Sequence, residues 1–130
     1  MPKANLATIR TNPVSIGARV EAIDWTQATS DLDAQGCAVL KGLLSPGECG
    51  ALAALYPDDK NFRSRIVMGR HGFGRGEYKY FAYPLPDLIA ELRPALYERL
   101  CPVANRWNET MGIDIRYPDS HEAFLKRCHD

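Results

Sequence analysis

Histidine is scarce, with three in 130 residues, and no stretch approaches the ~20 consecutive apolar residues that cross a bilayer. The first shortage restricts metal chemistry. A mononuclear iron or zinc site needs two or three histidines with a carboxylate at a spacing that turns them all inward. His71 is followed by Gly72-Phe73, His121 by Glu122-Ala123, and His129 by Asp130 alone, so the H-x-D or H-x-E of an iron facial triad does not occur. No complete metal site is expected. The second shortage excludes a membrane span, and residues 1–12 have no apolar core of the kind a secretory signal carries. No C-x-x-C pair occurs among Cys37, Cys49, Cys101 and Cys128, which predicts free thiols and a cytoplasmic location. Charge of either sign is not in excess: 16 Lys and Arg face 16 Asp and Glu, which argues against a polybasic protein. G-x-S-x-G, G-K-[ST], internal repeats and low-complexity tracts are also absent.

What remains is an ordinary globular composition, 45% hydrophobic and 25% charged, enough for one domain. Residues 1–23 have no clear period and are expected to be a loosely ordered lead-in to a domain over 24–130. Asp24 and Gly36 bracket a helix as cap and stop. Cys37-Ala38-Val39-Leu40 is a short apolar run that suits a buried strand. Ser45-Pro46-Gly47-Glu48 is a capping box with proline at the first helical position, and Pro57 ends the helix that follows. Residues 62–68 alternate and predict a strand. A glycine-rich turn, Arg70-His71-Gly72-Phe73-Gly74-Arg75-Gly76, leads to a returning aromatic strand with Tyr78, Tyr80, Phe81 and Tyr83. Such a turn calls for positive φ at its glycines.

Leu88, Leu92, Leu96 and Leu100 then recur at steps of four, giving one apolar helical face. Pro94 within it should kink or split the helix. Val103, Trp107 and Met111 continue the step into a further helix stopped by Gly112. Ile113 to Tyr117 alternates as a brief strand, and Asp119 or Ser120 starts a last helix.

Residues 60–80 hold six basic side chains, Lys60, Arg63, Arg65, Arg70, Arg75 and Lys79, against one acid, Glu77. That local excess marks an anion-facing surface within a neutral protein, although strand edges also carry charge to prevent aggregation. His71 to Tyr78 overlaps the core of the RNA-recognition motif at glycine, phenylalanine, glycine and the last aromatic. Arg75 stands where a stacking aromatic belongs, however, and Gly76 replaces the buried valine. A nucleic-acid module using residues 70–81 is thus an alternative function, and a non-catalytic interaction domain another.

The run from Met68 through Arg70, His71, Gly72, Phe73, Gly74, Arg75, Gly76, Glu77 and Tyr78 to Phe81 resembles the N-terminal half of bacterial 2-oxoglutarate and iron(II)-dependent dioxygenases of the prolyl-hydroxylase-like group. So do Pro84-Leu85-Pro86-Asp87-Leu88, Ala104-Asn105-Arg106-Trp107-Asn108, and Tyr117-Pro118 through Phe124-Leu125 to Cys128-His129. The resemblance implies an α+β chain with helices packed on a small, mainly antiparallel sheet, an incomplete jelly-roll (double-stranded β-helix) oxygenase. It implies hydroxylation driven by Fe(II), oxygen and 2-oxoglutarate. The family's iron ligands and the basic residue for 2-oxoglutarate lie further along than this chain reaches. A truncated oxygenase that binds neither cofactor by itself and is inactive alone is therefore expected. Its partner would be the missing C-terminal jelly-roll half, covering exposed apolar helix faces; neither a membrane nor nucleic acid is the expected partner. No catalytic or metal residue can be carried over. Arg70, His71, Arg75, Tyr78 and Tyr80 are the substrate-pocket candidates, because polar and aromatic side chains cluster there at a turn, one expected near the mouth of the intact enzyme's active site.

Overall fold

In the computed structural model, residues 14–130 are described, so most of the lead-in expected over residues 1–23 lies outside the described residues. Its last part is ordered. Ser15 accepts from the Ala18 amide and starts helix α1 (Ile16–Glu21), which buries Ile16 and Val20. With Arg19 also buried, only two of the three buried positions in these six residues are apolar, too few to register as a period.

The elements that follow are α2 (Trp25–Gln35), α3 (Pro46–Ala54), β1 (Phe62–Val67), β2 (Glu77–Phe81), α4 (Asp87–Thr110) and α5 (His121–His129). The architecture is α+β, with one two-stranded antiparallel sheet among the described residues. The chain forms two compact units. One is Leu44–Asp87; the other combines residues 14–43 with Leu88–Asp130.

In the first unit, the Ser45–Glu48 capping box forms as the sequence predicts. Glu48 N–H donates to Ser45 Oγ at 3.1 Å, and Ser45 N–H donates to Glu48 Oε1 at 2.9 Å. The hairpin pairs Ser64 with Tyr80, Arg65 with Lys79, Ile66 with Tyr78 and Val67 with Glu77, and its register shifts between Phe62 and Ser64. The turn between the strands holds a single 3-10 turn, Met68–His71, and is closed by the Met68 amide on the Gly76 carbonyl at 2.9 Å. Gly72, Gly74 and Gly76 all have positive φ, the conformation that residues with a Cβ avoid.

In the second unit, α2 is capped as expected by Asp24 and by Gly36 in the left-handed conformation. Helix α4 runs unbroken for 24 residues through Pro94 and Pro102, so Pro94 does not split it and no separate helix begins at Val103. Each proline deprives the carbonyl four residues earlier of its amide partner. Those carbonyls belong to Ala90 and Glu98, both exposed, so water can take the place of the lost bonds. Leu88 and Val103 are buried, Leu92, Leu96 and Trp107 half-buried, and Leu100 and Met111 exposed. The predicted apolar face therefore exists but is only partly covered. Glu21 of α1 pairs with Arg99, whose guanidinium also lies 5.8 Å from the Trp25 ring centroid. Asp33 of α2 accepts from Trp107 Nε1 at 2.7 Å and from Arg106 at 2.8 Å. These bonds, the indole's first, hold the Asp33 carboxyl below its usual pKa.

Two expected strands do not form. Residues 37–40 are irregular, and Val39 is 79% exposed. Residues 113–118 are also irregular. Both lie in the unit that has no strand among its described residues, so neither has an edge to pair with. Without those two strands the described residues do not have the strand–helix–strand–strand–helix–strand order of an RNA-recognition fold, which does not favour that alternative. No described helix is long and apolar enough to cross a membrane. All four cysteines are free thiols, with Cys101 buried.

Candidate functional site

The hairpin carries the five residues singled out from the sequence. Arg70 and His71 sit on the 3-10 turn, Arg75 on the following loop, and Tyr78 and Tyr80 on one face of β2. Ile66, Met68, His71, Phe73 and Tyr78 line one open cleft of about 380 Å3. Tyr80 stands beside it, its ring edge-on to Tyr78 at 5.6 Å and 81°. The Tyr80 hydroxyl, with burial second, raises the Tyr78 phenol above its usual pKa. Arg70 and Arg75 do not line the cleft. They are exposed on either side of Phe73 in the chain and pair with no carboxylate among the described residues.

The local positive excess is smaller than the sequence suggests. Lys79 Nζ donates to the Tyr56 carbonyl at 2.7 Å and pairs with Asp59 at 3.2 Å. It lies 4.3 Å from the Tyr56 ring centroid, with its side chain 7% exposed. It braces the far face of the hairpin, where Phe62 stacks on Phe81 at 5.1 Å. Arg65 pairs with Glu77 at 3.4 Å. Of the six, Lys60, Arg63, Arg70 and Arg75 have no carboxylate partner among the described residues.

Two contributors escape a sequence reading. Arg63 falls at the register shift, and its guanidinium lies 5.4 Å from the Tyr80 ring and 6.0 Å from the Tyr83 ring. Strict alternation would have put it on the opposite face from Tyr80. Phe73 is 74% exposed. Its signal is present in the sequence: a phenylalanine between two glycines at a turn has no flanking side chain to shelter it.

The second unit contains a different construction. Along one face of α4, Tyr97, Cys101, Asn105 and Asn108 grip the irregular segment 113–118. Asn108 Nδ2 donates to the Ile115 carbonyl at 3.0 Å. Asn105 Nδ2 donates to the Tyr117 carbonyl at 3.0 Å, and its Oδ1 accepts from the Tyr117 amide at 2.7 Å. The Cys101 thiol donates to the Pro118 carbonyl at 3.2 Å, and the Tyr97 hydroxyl donates to the same oxygen at 2.5 Å. Steps of four, four and three keep these side chains in line. The helix takes the place of the partner strand that the segment lacks.

Beside this clamp runs a largely apolar groove of about 520 Å3, walled by Leu96, Leu100 and Ala104 of α4 together with Tyr117 and Phe124. The His121 imidazole also lines it. Burial first and the Arg93 charge second lower its pKa below the usual value.

Tyr97 is pushed up to about 12, chiefly by burial and then by the Cys101 thiol. The fold thus favours the neutral phenol. The stability this brings is complete below the ordinary value near 10 and is lost as pH rises through about 12. In a tyrosinate absorbance titration, the component that ionises near pH 12 should vanish in Tyr97→Phe. Its persistence would contradict the assignment.

Residues 76–130, spanning β2, α4 and α5, match the family described as an oxygenase catalysing oxidative methylation of damaged DNA. Two uncharacterised proteins of Mycobacterium tuberculosis, from strains CDC 1551 / Oshkosh and ATCC 25618 / H37Rv, are each 36% identical over 64 residues. The aligned stretch is 47% of this chain and 28% of each relative, so the chain spans under a third of their length. No solved structure matches it.

Proposed function

We propose that this chain is the supporting and substrate-facing segment of an oxygenase that hydroxylates its substrate with Fe(II) and 2-oxoglutarate. The observation that carries the reading is the oxygenase match over residues 76–130, because it takes in the whole α4 clamp. Asn105 and Asn108 belong to one stretch of the dioxygenase resemblance, and Tyr117-Pro118 begins another. The hydrogen bonds between them give a physical reason for those separated stretches to occur together.

The described residues do not by themselves fit the iron. No group of three His, Cys, Asp or Glu among them could hold a metal ion. His71 lies in one unit and His121 and His129 in the other. The latter two are eight residues apart on α5, about 12 Å along the axis at 1.5 Å per residue, too far to share one ion. The ligands, and the basic group for 2-oxoglutarate, are therefore assigned to a jelly-roll half outside these residues. That half would cover the groove along Leu96, Leu100 and Phe124, which a lone soluble chain would otherwise leave wet. The residues described here would stiffen the catalytic half from behind and present the hairpin to substrate.

Succinate formation tests the proposal. A full-length protein carrying this segment should convert 2-oxoglutarate to succinate only with ferrous iron, and the 130-residue chain should not. Iron-independent turnover, or turnover by the chain alone, would overturn it.

A further inference from the structure

Hydrogen bonds alternate along segment 113–117 as they do along a β-strand held on one edge. The bonds to helix α4 fall on the odd residues. The Ile113 amide donates to the Asn108 carbonyl at 2.8 Å, the Ile115 carbonyl accepts from Asn108, and Tyr117 uses both its backbone groups on Asn105. The Arg116 guanidinium also folds back onto the Ile113 and Ile115 carbonyls. The residues between are open. Among the described residues, Asp114 has no partner for its N–H or its C=O, and Arg116 has none for its N–H. In an extended chain the N–H and C=O of one residue share a side, and those of the next take the other. The odd residues therefore face the helix and the even ones face solvent. The Arg116 carbonyl accepts from Arg127 at 2.7 Å, through an exposed side chain that a backbone amide can displace. Ile113 and Ile115 are 39% and 56% exposed. An edge with open backbone groups and uncovered β-branched side chains is one that folded proteins normally pair or cover.

We propose that residues 113–117 are a docking edge for one antiparallel β-strand contributed by the catalytic half of the proposed oxygenase. The side-chain amides of α4 stand in for a neighbour on one edge, and the incoming strand takes the other. Asp114 offers both groups of one hydrogen-bonded pair, the two bonds that antiparallel strands exchange at a single opposite residue, and the Arg116 amide offers the next bond. The aligned stretch is 28% of each relative, so most of such a protein remains to supply the strand. That strand should alternate, with a basic residue opposite Asp114, an acidic one opposite Arg116, and β-branched or aromatic residues beside Ile113 and Ile115. The inference rests on the reading that such a half exists. It adds where on this chain the half attaches and through which backbone groups.

Residue-resolved amide hydrogen exchange supplies the test, in the 130-residue chain and in a full-length protein carrying it. In the chain alone, Asp114, Ile115 and Arg116 should all exchange at nearly the rate of an unstructured peptide. In the full-length protein Asp114 and Arg116 should slow by roughly a hundredfold or more, and Ile115, whose amide faces the helix side, by much less. The alternation tells strand pairing from general burial, which slows all three. Asp114→Pro lacks the donor and sets its ring on the edge, so it should restore fast exchange at Arg116 in the full-length protein, and Asp114→Ala should not. The wild-type comparison decides the matter even if the proline variant fails to fold. Fast exchange at Asp114 and Arg116 in the full-length protein, or equal slowing of all three amides, would overturn the docking edge. Slowing in the 130-residue chain that grows with its concentration would give the edge to a second copy and overturn the assigned occupant. Succinate formation is read separately. Turnover with fast exchange at these amides removes the docking edge and leaves the proposed oxygenase, and slow exchange without turnover does the reverse.

Discussion

Asn105→Ala is expected to cost about 2–4 kcal/mol of stability and to lower the melting temperature by about 10 °C. The size follows from what the side chain does. Its amide satisfies both the N–H and the C=O of Tyr117, in a part-buried setting, and also donates to the Cys101 sulfur at 3.5 Å. Alanine leaves the Tyr117 amide without a protein partner and its carbonyl with only the Cys101 thiol at 3.5 Å, at about 1–3 kcal/mol for a group that water cannot fully reach. The substitution also removes the middle of a clamp whose outer members, Asn108 and Tyr97, hold only carbonyls. Amide hydrogen exchange at Tyr117 should therefore accelerate most. Asn105→Asp tells hydrogen bonding from packing. The carboxylate keeps the acceptor, loses the donor and sets a negative charge against the Tyr117 carbonyl, so it should not rescue. A melting temperature unchanged in both variants would show that segment 113–118 is held by other contacts.

Leu88→Ala is expected to cost about 2–5 kcal/mol, the range for a leucine removed from a closed core. Leu88 is 0% exposed at the start of α4. Leu100, three turns along the same step-of-four face, is exposed and lines the groove. Leu100→Ala in this chain should cost less than about 0.5 kcal/mol. The contrast matters for function because sequence periodicity makes the two leucines equivalent. If the remainder of a longer protein covers the groove, Leu100→Ala should become costly there while remaining mild here. Equal costs in the 130-residue chain would mean that the face is uniformly buried and offers nothing to cover.

Local punctuation was the most legible part of the sequence. Asp24 and Gly36, the Ser45–Glu48 box and Ser120 each act through bonds made within three or four residues, so they form whatever the rest of the chain does. The hairpin was legible for the same reason: alternation on both strands and glycines at the turn. Long-range pairing was not. The runs at 37–40 and 113–117 have strand-like composition, but a strand exists only where another strand offers an edge. The split expected at Pro94 did not occur because the cost of a lost amide bond depends on whether water reaches the freed carbonyl, which no local pattern states. Among the candidate site residues, Arg70, His71, Arg75, Tyr78 and Tyr80 could be named from clustering alone. Which of them share a cleft depends on the turn geometry, and Arg63 joins Tyr80 only through a register shift invisible to strict alternation.

We propose that these residues support an iron oxygenase whose metal ligands belong to a longer protein. Anaerobic calorimetric titration with ferrous iron in the presence of 2-oxoglutarate tests it most directly. One iron per molecule should bind to a full-length protein carrying this segment, and none stoichiometrically to the 130-residue chain. Stoichiometric iron on the chain alone, or none on the full-length protein, would contradict the account.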